Sequence, residues 1–492
     1  MHTADYDAIV IGGGLAGLTA ALFLVQAGCQ VLLLEKNRRL GGYAVSYSRR
    51  GHRFDIATQA LGSCENGGLI NQTLQLLDLN GAIRFLPCEP ARSYVFGSLQ
   101  ETYEQSGVWE KHIRKLENLF PECDGRFRHC SEIIQRLFEE MLRLAEEDAE
   151  EIIYGFSKHF PILSRYSLYT VKRFLDEEGL PPMAQAYFAA RAGYCLLPLQ
   201  RLSLVGFACT EMAFRRGAWM VQGGVERLPR ELARRFRSCG GSIKTRESAT
   251  RIRPDRGRTL EVETEQGSYR AQRVVSAIDA ATTLQRLVAE PGASMAPAMR
   301  KLDRLEVSGS YHVGFYSIPA CRASRLRANL EIRDHHDANP EEDPVGSVLY
   351  VLVPSLVDPS SAPPGRHCLC LSLPLAKGAA LSRSERLRYR DIAEQKLCSY
   401  FPELTGHLEG MFDLGPKQLA LMTGNNRGSA YGWAQTVKQS GLYRFPMSPG
   451  IPGLYLAGHW TMPGGGIAGV MTSGRLCAQR VLSEMSGSKG ES

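Results

Sequence analysis

Residues 8 to 34 carry no charged side chain, and three consecutive glycines, Gly12, Gly13 and Gly14, interrupt them near their start. An uncharged stretch of that length suggests a membrane span or a leader peptide. Its flanks oppose both readings, because it follows Asp5 and Asp7 rather than a basic segment. The glycines also break any continuous helix. Tyr6 to Ile11 is a short, β-branched apolar run that reads as a buried parallel strand. Leu18 to Ala27 reads as a helix that Gly28 ends, and Gln30 to Leu34 as a second strand that closes on Glu35.

Strand, glycine turn, helix, strand and acid form the sequence of parts that binds a dinucleotide. Gly12 permits the tight turn, Gly14 lets backbone approach a pyrophosphate, and Gly17 lets the helix pack close to the sheet. Leu15 and Ala16 stand in the turn before the helix, whose free N–H groups and positive dipole end face the phosphates. Glu35 falls where a carboxylate accepts ribose hydroxyls, which favours FAD or NAD over a 2′-phosphorylated cofactor.

Other chemistries find little support. The formal charge of +7 is spread over doublets such as Arg38-Arg39 and Arg215-Arg216, with no basic stripe interleaved with aromatics, so nucleic acid is not expected. A weak attraction to an anionic membrane surface stays open. The thirteen cysteines are scattered, with no CxxC and no zinc spacing, and HExxH is absent. They read as reduced, buried thiols of a cytoplasmic protein without a metal site.

After Glu35 come Lys36-Asn37-Arg38-Arg39-Leu40-Gly41-Gly42, then Gly51-His52-Arg53-Phe54-Asp55. A second glycine pair lets another loop pass close to the same cofactor. This arrangement resembles the FAD signature of the amine oxidase and phytoene desaturase superfamily. Near the carboxyl end, Gly453-Leu454-Tyr455 leads to Gly458, His459 and Trp460, then Thr461, Pro463, Gly464, Gly465 and Gly466, then Ile467, Gly469, Val470, Ser473 and Gly474. Met471 to Leu482 reads as a helix. This segment resembles the carotenoid desaturase and isomerase branch, whose glycine loop and helix start face the N1/O2 edge of the flavin. Gln222 to Leu228, Arg273 to Asp279 and Pro354 to Gly365 resemble the same branch, and Ala249 takes the place of a valine whose backbone meets adenine. No transferable motif appears between about 80 and 219.

The resemblance implies an α/β fold: a discontinuous, glutathione-reductase-like Rossmann domain for FAD, with an inserted α+β substrate domain. Residues 1–80, 220–300 and 415–492 would form the first, and 81–219 and 301–414 the second. In the first insertion Ile134, Leu137, Phe138, Met141 and Ala145 fall at helix spacing, with Glu139, Glu140 and Arg143 outside and Ser131 as cap. In the second, Tyr311 to Tyr316, Ser347 to Val353 and Cys368 to Leu373 read as strands around a loop from Asp334 to Pro344.

Candidate cofactor-binding residues are Gly12, Gly14, Leu15, Ala16, Gly17, Glu35, Lys36, Gly41, Gly42, Ala249, Gly458, His459, Gly466 and Ile467. His459 reads either as a polar contact to flavin or as a packed side chain. His52 reads as a substrate contact or core, and Trp219 and Trp460 as tunnel wall or aromatic packing. No catalytic acid or base is singled out. The resemblance implies an FAD-dependent oxidoreductase that desaturates, saturates or isomerises C–C bonds of a long apolar isoprenoid, by hydride transfer at flavin N5. Conjugation of the polyene stabilises its cation, so a strong base is unnecessary. Two alternatives use the same scaffold: a flavin amine oxidase, and a flavin-free prenyl-protein escort.

Overall fold

Side chains alternate across a strand, so two apolar faces need two layers to cover them. In the computed structural model, which describes residues 4–57, 59–97, 102–147, 155–254, 259–289, 292–334, 347–375 and 380–487, this is how the first sheet is built. Tyr6–Ile11 lies between Val31–Glu35 and Gly267–Ser276, parallel to both. Ser242–Thr245 extends the sheet beyond Val31–Glu35, and Leu454–Leu456 pairs with the end of Gly267–Ser276. Ala249–Pro254 and Leu260–Thr264 add an antiparallel meander at the other edge. Ala8, Val10, Val31 and Leu33 bury against the helices Leu15–Gln26, Arg227–Ser238 and Ile467–Gly487. Ile9, Ile11, Leu32 and Leu34 bury on the opposite side, with the meander and Leu284. Each fully buried aliphatic chain contributes roughly 1.5–3 kcal/mol.

The second sheet takes its strands from the two intervening stretches. Its order is Glu409–Leu414, Ser310–Pro319, Arg366–Leu375, Val348–Leu352, Asn329–Arg333, Arg92–Phe96 and Thr102–Gln105. Only the Asn329–Arg333 and Arg92–Phe96 pairing is parallel. One face packs Ile318, Leu349, Val351 and Leu369 under the helix Arg383–Tyr400. That helix begins with a capping box between Ser382 and Glu385. The other face packs Val313, Phe315, Leu352 and Cys370 against Phe54, Ile56, Ala218 and Met220. A helical layer completes the molecule, with Trp109–Leu119, Arg126–Glu146 and Leu204–Ala213 sharing one apolar cluster.

The strands expected in the second insertion are present: Ser310–Pro319 and Arg366–Leu375 extend beyond the apolar runs that suggested them, while Val348–Leu352 falls within its run. The loop from Asp334 to Pro344 lies, beyond Asp334, outside the described residues. Two local expectations are corrected. Ser131 is not a cap: the helix starts at Arg126, and the Ser131 hydroxyl accepts the Trp109 Nε1–H at 2.8 Å. Glu140 does not face solvent. It is buried and accepts the Leu163 N–H (2.8 Å) and Ile162 N–H (3.3 Å) at the start of Pro161–Tyr166. A carboxylate at a helix start answers otherwise unpaired donors there, which is why this acidic side chain sits inside.

Candidate functional site

The turn after Tyr6–Ile11 is built by three different glycine constraints. Gly12 has φ +104°, a conformation that other residues adopt rarely. At Gly17 an added Cβ would fall 2.0 Å from the Gly12 carbonyl oxygen, so the helix can approach the strand only without one. At Gly14 an added Cβ would meet no atom within 4 Å. The helix start it precedes has no side-chain cap and no acidic residue in its first turn. Open space thus faces unanswered N–H donors.

Glu35 closes the turn. Its Oε2 accepts the Gly13 N–H and its Oε1 the Asn37 N–H, both at 2.8 Å. A carboxylate offers about four acceptor positions, so each oxygen keeps one for a ligand. The second glycine pair lies against the first: Gly41 N–H donates to the Gly13 carbonyl at 2.8 Å, and a Cβ on Gly42 would stand 3.4 Å from the Gly14 Cα. Lys36 Nζ and Asn37 Nδ2 donate to Leu421 and Met422 carbonyls, tying this loop to the helix Pro416–Thr423.

The carboxyl-terminal loop meets the same space. Gly458 N–H donates to Ser473 Oγ (2.9 Å), and the Thr461 and Ser473 hydroxyls pair at 2.8 Å, so the loop is pinned to the helix that follows it. A Cβ on Gly474 would lie 2.4 Å from the Ala16 carbonyl oxygen, so the two helices that open on the site touch backbone to backbone. A Cβ on Gly466 would again meet nothing within 4 Å.

One cavity, with a water-accessible volume of about 440 Å³, joins these parts. Gly12, Gly14, Leu15, Ala16, Glu35, Lys36, Gly41, Gly42, Ala249, Gly458, His459, Gly466 and Ile467 all line it. Of the expected residues only Gly17 does not, because it is spent on helix–strand contact. The cavity continues past them to Phe138, Phe214, Val313, Leu352 and Cys370, on the helical layer and the second sheet.

His459 is half-buried in the cavity wall. Burial, and then the nearby Arg444 guanidinium, push its imidazole down to about 3, so it is neutral at physiological pH. Trp460 is not among the lining residues; it packs edge-on against Trp433 with ring centroids 4.8 Å apart. Trp219 is likewise absent from the lining and packs against the first core. His52 stacks on Phe54 and its Nδ1 lies 3.0 Å from the Arg50 carbonyl oxygen, away from the cavity.

Several lining residues carried no site assignment in the sequence. Asp279 is buried, and its carboxylate accepts the Thr282 N–H (2.8 Å) and Asn426 N–H (2.9 Å), while burial holds its pKa above the ordinary value. It stands in the recognised stretch Arg273 to Asp279, so a signal existed. Tyr194, Phe214 and Tyr311 had none, whereas Tyr431 stands in Tyr431-Gly432-Trp433, a stretch that also resembles the branch. Tyr311 and Tyr431 meet hydroxyl to hydroxyl at 3.3 Å, and burial raises both far above the ordinary phenol range. The segment from Pro354 to Gly365 does not line the cavity. Its Asp358 accepts the Gly223 N–H (2.9 Å) and Arg53 Nη2–H (2.8 Å), clasping two loops behind the site.

A parallel sheet with a glycine turn, an acid at the end of its second strand and a second glycine corner defines a Rossmann-type dinucleotide-binding oxidoreductase. Residues 15–482 match the family of flavin containing amine oxidoreductases, and the chain belongs to that family. Its cofactor is FAD. The chain is 25% identical to chloroplastic prolycopene isomerase of Arabidopsis thaliana, over 98% of this chain and 83% of that protein. It is 23% identical to 4,4'-diaponeurosporene oxygenase of Staphylococcus aureus strain MW2, over 96% and 97%. Putrescine oxidase bound to putrescine has a TM-score of 0.66 at 15% identity, covering 98% of this chain and 99% of that one. An oxidoreductase from Methanosarcina mazei has a TM-score of 0.64 at 16% identity, covering 97% and 99%. Both likenesses concern the fold.

The residues present fit FAD. The free space in front of Gly14 and Gly466 stands where two helix starts expose N–H donors, and a half-used carboxylate stands beside the first. Among the described residues no helix is long and apolar enough to cross a membrane.

Proposed function

We propose that the chain alters C–C bonds of a long apolar isoprenoid or polyene, by desaturation, saturation or cis–trans isomerisation. One observation carries this reading. The cavity that begins at the glycine turns runs on between apolar side chains of the second sheet and the helical layer, with Phe138, Phe214, Val313 and Leu352 along it. Relatives named as a prolycopene isomerase and a diaponeurosporene oxygenase support the substrate class.

In this reading the Rossmann half comprises residues 1–80, 220–300 and 415–492, and the substrate half 81–219 and 301–414. Gly14, Leu15 and Ala16 hold the pyrophosphate, Glu35 the ribose and Ala249 the adenine. Gly458, His459, Gly466 and Ile467 border the ring system, while Lys36, Gly41 and Gly42 shape the nucleotide side. Bound FAD supplies the ring that accepts or returns hydride. The apolar wall orients the polyene and excludes water. His459 is neutral and Tyr311 and Tyr431 keep their protons at neutral pH, so none of them is a strong base; this suits a reaction whose cationic character the conjugated chain itself spreads. A cytoplasmic location with a peripheral hold on a membrane surface fits delivery of such a substrate.

The test is anaerobic. Holoprotein, oxidised or reduced with dithionite and freed of excess reductant, mixed with phytoene or lycopene isomers in detergent micelles should shift the polyene bands; desaturation should also bleach the oxidised flavin, saturation should reoxidise the reduced flavin, and isomerisation should leave the flavin's oxidation state unchanged. Bleaching by putrescine or benzylamine, with no effect of any polyene, would overturn the reading in favour of an amine oxidase.

A further inference from the structure

Arg444 is 3% exposed and lies directly behind the carboxyl-terminal loop. Its Nη1 donates to the Trp433 carbonyl (3.0 Å) and the Gln439 carbonyl (3.4 Å), and its Nη2 to those of Tyr431 (3.3 Å) and His459. A Cβ on Gly464 would stand 3.7 Å from Nη2. The guanidinium is thus separated from the cavity by one layer of backbone, since His459, Pro463, Gly465 and Gly466 line the other side. Among the described residues no carboxylate pairs with it, and Nε has no partner at all. Burial lowers its pKa to about 9, which still leaves it a cation at neutral pH.

A buried charge answered only by neutral carbonyls is costly. Arg191 and Arg92, by contrast, each face a glutamate. The missing counter-charge has an obvious direction. The positive end of Ile467–Gly487 and the Arg444 cation flank the same loop, and both favour negative charge in the cavity beyond it.

We infer that Arg444 is a positioning residue whose charge raises the reduction potential of the bound flavin by favouring its anionic reduced form. This rests on the proposed placement of the ring against Gly458 to Ile467. Through one layer of backbone, at an effective dielectric constant of about 20, a full charge shifts such an equilibrium roughly ten- to a hundredfold.

The test uses holoprotein. Midpoint potentials are read spectrophotometrically against reference dyes for the parent, Arg444→Lys and Arg444→Met, alongside thermal unfolding of each. Arg444→Met should bind FAD, stay yellow, and show at least a tenfold less favourable two-electron reduction, about 30 mV more negative. Arg444→Lys should keep the parent potential even where its melting temperature falls, because it keeps the charge and loses the fork. Equal potentials in all three yellow proteins would overturn the inference and leave Arg444 as a loop clamp. Should Arg444→Met not fold, Arg444→Gln takes its place: a potential at least about 30 mV more negative than the parent supports the charge role, and a parent-like potential overturns it. A parent that takes up no FAD would instead sink the placement on which the inference rests.

Discussion

Two glycines three residues apart should fail in opposite ways when a side chain is added. At Gly14 the backbone has φ −73° and ψ 177°, which any residue adopts, and the added Cβ meets nothing within 4 Å. Gly14→Val should therefore fold, with a stability change within about 1 kcal/mol of the parent, the balance between lost unfolded-state entropy and a poorer helix cap. The space it fills is the space the pyrophosphate needs. Affinity for FAD should fall at least about a hundredfold, a loss of about 2.8 kcal/mol or more. At Gly17 the added Cβ lies 2.0 Å from the Gly12 carbonyl oxygen, a backbone atom that cannot swing away. Gly17→Val should cost more than the about 1–3 kcal/mol typical of overpacking, and appear as aggregation or early melting. The assay pairs urea denaturation of apoprotein with titration of FAD followed by flavin fluorescence quenching. Parent-like FAD affinity in a folded Gly14→Val variant would refute the placement, because no phosphate could then occupy that space.

Three further outcomes follow from individual contacts. Glu35→Gln leaves an NH₂ group facing either the Gly13 or the Asn37 N–H, so stability should drop by about 1–3 kcal/mol and FAD affinity about tenfold or more, both seen in the same titration and melt; unchanged values would remove Glu35 from the site. Gly474→Val drives a Cβ to 2.4 Å from the Ala16 carbonyl oxygen, and thermal unfolding should show a destabilised protein that also holds FAD less tightly. At Asp358, burial works to raise the carboxyl pKa, but hydrogen bonds from Gly223 and Ser360 and the charge of Arg53 outweigh it and hold the group below its ordinary value. Its stabilisation is accordingly full above about pH 4 and lost as pH falls through the depressed value. Asp358→Asn should be less stable than the parent at neutral pH by about 1.5–3 kcal/mol, with the gap closing in acid.

The nucleotide half was legible because its chemistry is local. Gly12, Gly14, Gly17 and Glu35 sit within one strand–helix–strand unit: Gly12 answers a positive φ, Gly17 a close helix–strand contact, and Gly14 leaves open space before the helix. Gly458, Ser473 and Gly474 were legible for the same reason, since a loop and the helix after it are neighbours in the chain. The substrate side was not. Tyr194, Phe214 and Tyr311 come from a helical layer and a sheet whose partners lie far away in sequence, and an aromatic in a core has no spacing rule to betray which face meets a cavity. Glu140 shows the same limit: helix periodicity placed it outside, and only the start of Pro161–Tyr166, packed beside it, explains a buried carboxylate. Pro354 to Gly365 was recognisable as a segment, but its task of clasping Gly223 and Arg53 depends on tertiary contacts.

The most direct measurement is an equilibrium titration of folded apoprotein with FAD, followed by absorbance and fluorescence. One FAD bound per chain, with a resolved flavin spectrum and thermal stabilisation of the protein, is the predicted result. A folded chain that binds none, or whose melting point ignores saturating FAD, would contradict the idea that both glycine corners close on one flavin.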